Sequence, residues 1–383
     1  VREPRTATLA RVKILHVVPT YLPARRYGGP IYAVHGLAKA LAARGHEVDV
    51  FTTNVDGPND SNVPLGTSVD LDGVGVWYFP SSFRRLYWSG AMRSALARSV
   101  ADYDVVHIHS VFLYPTAAAA RAAQRARVPY VISPRGMLVP ELIRQKSRWT
   151  KTAWIRLVER GNFAAASAIH FTSEREQDDA RGVALPIPSP FVVPNGIELP
   201  EAVDVPRDEN TIVFLGRISW KKGVDRLIAA MPLLRDTRLV IAGNDDEKLT
   251  PRLRELAEKL GVSNRVAFIG RVDGEAKFEL LARATIFALA SLSENFGNVV
   301  LEAMAMKTPV VVTPEVGLAE EVRRARAGVI AMPHELASAL DSLLHDPARQ
   351  RAMGERGRKA VENHFTWPNV AAAMEAHYAR LLR

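Results

Sequence analysis

Glu294 and Glu302 stand eight residues apart in the string Ser293-Glu294-Asn295-Phe296-Gly297-Asn298-Val299-Val300-Leu301-Glu302-Ala303-Met304. The segment before them, 284–290, reads as a buried strand. Beyond Gly297 the apolar residues Val299, Val300, Ala303, Met304 and Met306 recur at helical spacing. Glu294 therefore falls in a strand-to-helix loop, and Glu302 about one turn into the helix. The helix N-terminus between them offers free amides and partial positive charge, which suits a phosphate. Two carboxylates flanking an anion site suit a sugar nucleotide. Each acid can accept from a pair of vicinal hydroxyls while the amides hold the diphosphate.

Further strand ends carry reactive groups. Leu215-Gly216-Arg217-Ile218-Ser219-Trp220-Lys221-Lys222-Gly223 follows one predicted strand and opens a helix. Arg217 and Lys222 thus stand at a carboxyl edge, where open parallel sheets bind ligands. Two fixed cations there can neutralise a diphosphate leaving group without a metal. Tyr27-Gly28-Gly29-Pro30 lies in the first strand-to-helix loop, where paired glycines admit a close ligand. His107-Ile108-His109-Ser110 ends another strand, and alternation puts both imidazoles on one face. No carboxylate sits at a spacing that would complete a metal site with them, so no metal is expected. Ser133-Pro134-Arg135-Gly136-Met137-Leu138 follows a further strand.

The Glu294–Glu302 string resembles the E-x7-E signature of retaining glycosyltransferase family 4, and Gly216–Gly223 matches that family's G-R-x4-K-G. The resemblance runs over nearly the whole chain. It implies two facing Rossmann-like domains (GT-B), with the active site in the cleft and a C-terminal helix crossing back to the N-terminal domain. By the same resemblance Arg217 and Lys222 contact the diphosphate of the donor, with Gly216 beside them. Glu294 holds hydroxyls of the transferred sugar and Glu302 the ribose hydroxyls. Asn295, Phe296, Gly297, Asn298 and Val299 surround the phosphate and sugar, largely through backbone amides. The turn Gly270-Arg271-Val272 cradles the base, and Gly28 and Gly29 lie near the sugar and the acceptor. The position of His109 resembles the family's active-site histidine, placed to donate to the departing oxygens. Arg135 belongs to a Pro-Arg-Gly-Met-Leu string similar to that of polysaccharide-building members and is an acceptor-side or interdomain cation. The implied catalytic set is His109, Glu294, Arg217 and Lys222. The sequence departs from the family at Lys307, where glycine is usual, and at Val316-Gly317, where Gly-Gly is usual. Residues 326–335 look like a trimmed loop.

The implied reaction moves a sugar from a UDP-, GDP- or ADP-linked donor to a hydroxyl acceptor with retention and no metal. Polysaccharide, glycolipid or lipid-linked oligosaccharide assembly is the expected setting. No carboxylate is placed as a covalent nucleophile, so same-face attack assisted by the leaving phosphate is expected. A sugar nucleotide 2-epimerase of the same architecture is an alternative, as is a basic nucleic-acid- or membrane-binding protein. The glycine pair is not a G-x-G-x-x-G fingerprint, which argues against a nicotinamide oxidoreductase.

These residues need a scaffold of alternating strands and helices, the pattern of parallel sheets with helices on both faces. At 383 residues, two domains are expected. Three prolines in 186–190 mark a connector. We place an acceptor-side domain over 1–190, a nucleotide-sugar domain over 191–365 and the returning helix over 366–383. The absence of cysteine excludes disulfides, thiolate catalysis and Cys-ligated zinc. No leader and no membrane-length apolar run stand out, so a cytoplasmic home is expected. The net charge of +9 lies wholly within residues 1–190, and 121–160 hold ten basic residues against Glu141 and Glu159. Such a patch attracts anionic surfaces. Residues 142–157 read equally as an interfacial membrane helix or as an ordinary amphipathic one. The patch lacks a nucleic-acid recognition motif, so no nucleic acid partner is expected. A peripheral position on the inner face of a membrane follows from the patch and the resemblance.

Overall fold

Short runs rich in Val and Ile, bounded by Gly, Pro and polar residues, become strands, and the longer stretches between them become helices. The computed structural model describes residues 11–24, 28–145, 148–201, 203 and 205–383. The chain divides into two units. One holds the described residues up to Gly196 together with Trp367–Arg383; the other is Ile197–Thr366.

The first unit is built on an eight-stranded sheet. Its strands are β1 (Lys13–Thr20), β2 (Glu47–Thr53), β5 (Ser68–Leu71), β6 (Val74–Phe79), β7 (Val105–His109), β8 (Tyr130–Ser133), β9 (Ala168–Phe171) and β10 (Pro190–Val192). The remaining pair, β3 (Val55–Asp56) and β4 (Asn59–Asp60), is a separate antiparallel ribbon. The order is β10-β9-β8-β7-β1-β2-β6-β5, parallel except that β5 runs antiparallel to β6. Side chains of β1 alternate between two apolar layers. Leu15 and Val17 join Ile108 and Ile132, whereas Ile14 and Val18 join the helix Gly29–Ala43 and Trp367. The terminal helix Trp367–Leu381 packs against Gly29–Ala43. Gly36 and Gly196 lie against the Trp367 ring, and a Cβ on either would run into it.

The second unit has a six-stranded parallel sheet, β11 (Thr211–Leu215), β12 (Arg238–Ala242), β13 (Val266–Gly270), β14 (Ile286–Leu289), β15 (Val310–Val312) and β16 (Gly328–Ile330), in the order β13-β12-β11-β14-β15-β16. One core cluster, with Phe214 and Phe287 fully buried, fills it. In each unit the order reverses beside the first strand, between β1 and β7 and between β11 and β14. The carboxyl ends of strands at such a switch point are the usual ligand position in open α/β sheets.

One stretch differs in part from its sequence reading. Within residues 326–335, taken for a trimmed loop, Gly328–Ile330 forms β16, pairing Gly328 with Val310. Gly328 has no room for a side chain against the Val310 carbonyl, so a small residue is what lets this edge close. The basic stretch after Pro140, which reads as a long helix or a helix pair, is helical over Pro140–Gln145 and again without interruption through Arg148–Trp154, a π-turn Ile155–Glu159 and Arg160–Ala164.

Candidate active site

In the second unit the β11 and β14 loops bring the predicted residues together. Lys222 Nζ forms an ion pair with Glu294 across the β11–β14 switch point. The backbone fixes this approach: Leu292 N–H donates to Lys221 O at 2.7 Å. Gly223, in the left-handed region at φ 65°, has its Cα packed against the Ala290 carbonyl, where any Cβ would collide. Glu294 is also stitched to the following loop. Its N–H donates to Glu315 O at 3.1 Å, and Gly317 N–H donates to its carbonyl at 2.9 Å. Gly317 abuts Asn295 O with no space for a side chain, whereas Val316 beside it is accommodated as a buried side chain. That explains why only one of the two usual glycines is needed here. Lys307 adopts φ 58°, the left-handed conformation that a glycine at this position would take without strain.

Gly297, at φ 93°, turns the chain into the helix Asn298–Ala305, whose start has no side-chain cap. Its amides are therefore offered outward, with the dipole favouring an anion. Glu302 lies on this helix, half-buried, and pairs with Lys277 Nζ at 2.8 Å. Lys277 comes from the helix Gly274–Arg283, and no motif had pointed to it. Arg217 is exposed and has no ion pair among the described residues. Arg271 is exposed beside Asp273 at 2.5 Å, and Val272 is half-buried next to it. Gly216 sits at the end of β11, where its N–H donates to Ala242 O at 3.0 Å.

In the first unit the β1 and β7 ends carry a buried imidazole cluster. His107 and His109 stack on one face with centroids 4.2 Å apart, and His16 from β1 and His170 from β9 complete it. All are buried. A guanidinium only donates, so the 3.3 Å contact from Arg135 Nε makes His109 Nδ1 an acceptor. His109 Nε2–H then donates to His16 Nδ1 at 2.8 Å. That leaves the proton of His16 on Nε2, which has no partner among the described residues. A second relay has equally fixed polarity. The Val193 carbonyl accepts from His170 Nε2–H at 2.8 Å. His170 Nδ1 accepts from His107 Nε2–H at 3.3 Å, and His107 Nδ1 accepts from Tyr378 O–H at 2.6 Å.

Burial holds all four imidazoles neutral. It lowers His16 to about 3, with Arg135 adding to the effect, and pushes His107, His109 and His170 well below 6.5. His16, His107 and His109 could converge on an ion. The set contains no carboxylate, and the Arg135 cation touches it, so a divalent ion would go uncompensated in an apolar interior. His109 was expected to donate to a substrate oxygen, yet both of its ring nitrogens are engaged within the cluster. One of those bonds must open before it can do so.

Gly28, at φ 67°, precedes the helix that begins at Gly29. Tyr27 and Lys146 lie outside the described residues, as do the side chains of Arg148 and Trp149. Of the remaining basic stretch, Arg121, Arg125, Arg127, Arg144, Arg156 and Arg160 are exposed. Trp154 turns inward and its Nε1–H donates to Glu159 at 2.9 Å. Leu157 is 81% exposed. No helix among the described residues is long and apolar enough to cross a membrane.

Residues 28–196 match the family model described as "Glycosyl transferase 4-like domain", and 197–360 match "Glycosyl transferases group 1". The chain is 30% identical to a D-inositol 3-phosphate glycosyltransferase of Xylanimonas cellulosilytica over 99% of this chain and 97% of that protein. It is 31% identical to a glycogen synthase of Mycobacterium tuberculosis over 92% of this chain and 91% of the relative. Among solved structures, sucrose-phosphate synthase from Thermosynechococcus elongatus superposes with a TM-score of 0.75 at 23% identity, covering 97% of this chain and 99% of that one. Anabaena HepE in complex with UDP and glucose gives 0.72 at 19% identity, covering 97% and 100%. At such identities the two structures speak for the fold alone, two Rossmann-like domains.

Proposed function

This chain belongs to the glycosyl transferases group 1 family, and from that premise we propose that its second unit binds the nucleoside diphosphate sugar and its first unit serves the acceptor. The protein is a retaining glycosyltransferase that uses nucleoside diphosphate sugars. The observation that carries the assignment of the donor site is the convergence at one switch point. Lys222 with Glu294, Lys277 with Glu302, the uncapped start of Asn298–Ala305 and the exposed Arg217 all lie around the carboxyl ends of β11 and β14.

In this reading Arg217 and Lys222 neutralise the diphosphate as the bond from the sugar's anomeric carbon to its phosphate oxygen breaks. The amides from Phe296 to Val299 hold its oxygens, with Asn295 alongside. Glu294 holds hydroxyls of the transferred sugar, and its present partner Lys222 is then shared with phosphate. Glu302, braced by Lys277, takes the ribose hydroxyls. The backbone around Gly270, Arg271 and Val272 faces the base. Gly28, Gly29, His109 and Arg135 serve the acceptor and the sugar. Attack comes from the same face as departure, with the leaving phosphate taking the acceptor's proton, and trapping a glycosyl-enzyme adduct would contradict this. UDP, GDP and ADP donors remain equal candidates, and no metal is needed in this scheme.

A thermal-shift screen of nucleoside diphosphates without added metal tests the site. One series should raise the melting temperature, since a ligand that binds only the native state stabilises it. Arg217→Ala and Glu302→Ala should abolish the shift. Glu294→Ala and Glu302→Ala should each lose about 2–4 kcal/mol of transition-state stabilisation. A shift that survives both substitutions, with turnover near wild type, refutes the assignment.

The exposed arginines of 121–160 and the projecting Leu157 favour docking on an anionic membrane during polysaccharide or glycolipid assembly. Replacing Arg144, Lys146, Arg148 and Lys151 by Glu should abolish sedimentation with anionic vesicles. Unchanged sedimentation would remove the membrane from the scheme.

A further inference from the structure

Arg135 sits half-buried at the end of β8 with its donors aimed at uncharged groups. Nε and Nη2 each lie 3.3 Å from His109 Nδ1, and Nη1 lies 2.7 Å from Asn195 Oδ1. Among the described residues no carboxylate stands within ion-pair distance of it. Glu176 acts on it through space, but that acid's oxygens are committed elsewhere. Oε1 accepts from Gly136 N–H at 2.5 Å, and Oε2 accepts from the N–H and the hydroxyl of Thr172, both at 2.7 Å. The four surrounding imidazoles are neutral and supply no counter-charge. Burial lowers Arg135 itself to about 10, so it stays charged at neutral pH. The chain also holds Arg135 at φ 55°, a left-handed conformation unusual for a long side chain.

A cation withdrawn from water, strained into place and compensated only through space by Glu176, with no carboxylate in direct contact, gains from a ligand that completes it. A guanidinium carries five N–H groups. The bonds to His109 and Asn195 leave one N–H on each terminal nitrogen that can meet an oxygen of a phosphate or carboxylate. Arg217 and Lys222 already give the donor diphosphate two cations in the second unit, so the charge of Arg135 is surplus to it.

We propose that Arg135 anchors an anion subsite in the first unit, and that the hydroxyl acceptor of this enzyme carries a phosphate or carboxylate group that this subsite holds. The subsite rests on the donor assignment above, because it takes the diphosphate to be satisfied elsewhere. His109 and Asn195 then act as positioning residues that aim the fork.

The test uses the full-length protein saturated with the nucleoside diphosphate that the thermal-shift screen selects, titrated with inorganic phosphate by calorimetry. The wild type should bind phosphate. Arg135→Gln should bind it at least about tenfold more weakly, as expected for losing a charge-assisted fork, with its nucleoside diphosphate affinity unchanged. Arg135→Lys keeps the charge but loses the fork, and stands in if Arg135→Gln does not fold. It should bind phosphate measurably more weakly than the wild type. Undiminished phosphate binding in the folded variant, or none in the wild type, overturns the proposal. So does a matching fall in nucleoside diphosphate affinity, because the donor would then be the source of the anion. If the wild type binds no nucleoside diphosphate, the donor assignment has failed instead, and the phosphate titration of the unliganded protein still reports on Arg135.

Discussion

Lowering the pH should unfold the first unit selectively. His16, His107, His109 and His170 are buried and neutral, with values well below the 6.5 of an exposed imidazole. In the unfolded chain each regains a value near 6.5 and binds a proton as the pH falls past it. The unfolded state then binds more protons than the folded one, so stability is full above about 6.5 and declines below it. Each imidazole costs about 1.4 kcal/mol per pH unit in that window. Moving from about pH 7.5 to about pH 5.5 therefore removes on the order of 5 kcal/mol from four groups, against a typical domain stability of about 5–15 kcal/mol. Glu159, raised by burial, works in the opposite direction, in the window between the ordinary carboxylate value and its own raised one, and offsets part of that loss. The second unit provides the internal control, since its His334, His345 and His364 are all exposed. Hydrogen exchange at both pH values would read the two units separately. Protection in β1, β7 and β9 should fall by orders of magnitude while β11 and β14 hold. Equal losses in both units, or none in either, would refute the reasoning.

Two substitutions probe the packing that shapes the site. Gly223→Ala drives a Cβ into the Ala290 carbonyl at a left-handed position. It should destabilise the second unit by about 2–4 kcal/mol and weaken nucleotide binding, read by urea unfolding and the thermal-shift assay. Gly36→Ala pushes against the Trp367 ring and should cost about 1–3 kcal/mol in the first unit alone. Unaltered protection of the helix Trp367–Leu381 in hydrogen exchange would count against that contact.

The grouping of charged residues in the second unit was legible because they are close in sequence to the strand ends that carry them. Glu294 and Glu302 flank one turn, and Arg217 and Lys222 share one loop. What escaped was set by pairing between distant strands. His16 meets His107 through the β1–β7 register, which no local pattern encodes. His170 arrives from β9 and Tyr378 from the terminal helix. Lys277 sits on a helix 25 residues before its partner Glu302, with nothing in its own surroundings to mark it. The π-turn within the basic helix also hides in the sequence, because it needs no proline or glycine. Its reason is tertiary. Glu159 is drawn inward to accept from the Phe112 N–H at 2.7 Å, in the loop that follows His109. Phe112 and Ser110 take left-handed φ values of 64° and 74° there, so the buried acid pins a strained loop.

The terminal helix also bears on how the chain matures. Trp367, Met374 and Tyr378 fill the layer of the first unit that contains Ile14 and Val18. Everything between Gly196 and Trp367 belongs to the second unit. The first unit therefore starts earlier in the chain than the second, yet cannot be finished until residues 367–383 are made. The second unit is continuous in sequence and can fold while synthesis still runs, reversing the usual N-terminal-first order. Until those residues emerge, the Trp367 seat at Gly36 and the Tyr378 end of the His107 relay stay empty. A nascent chain stalled before Trp367 would have a complete second unit and an open first unit, and would be a natural client for a chaperone.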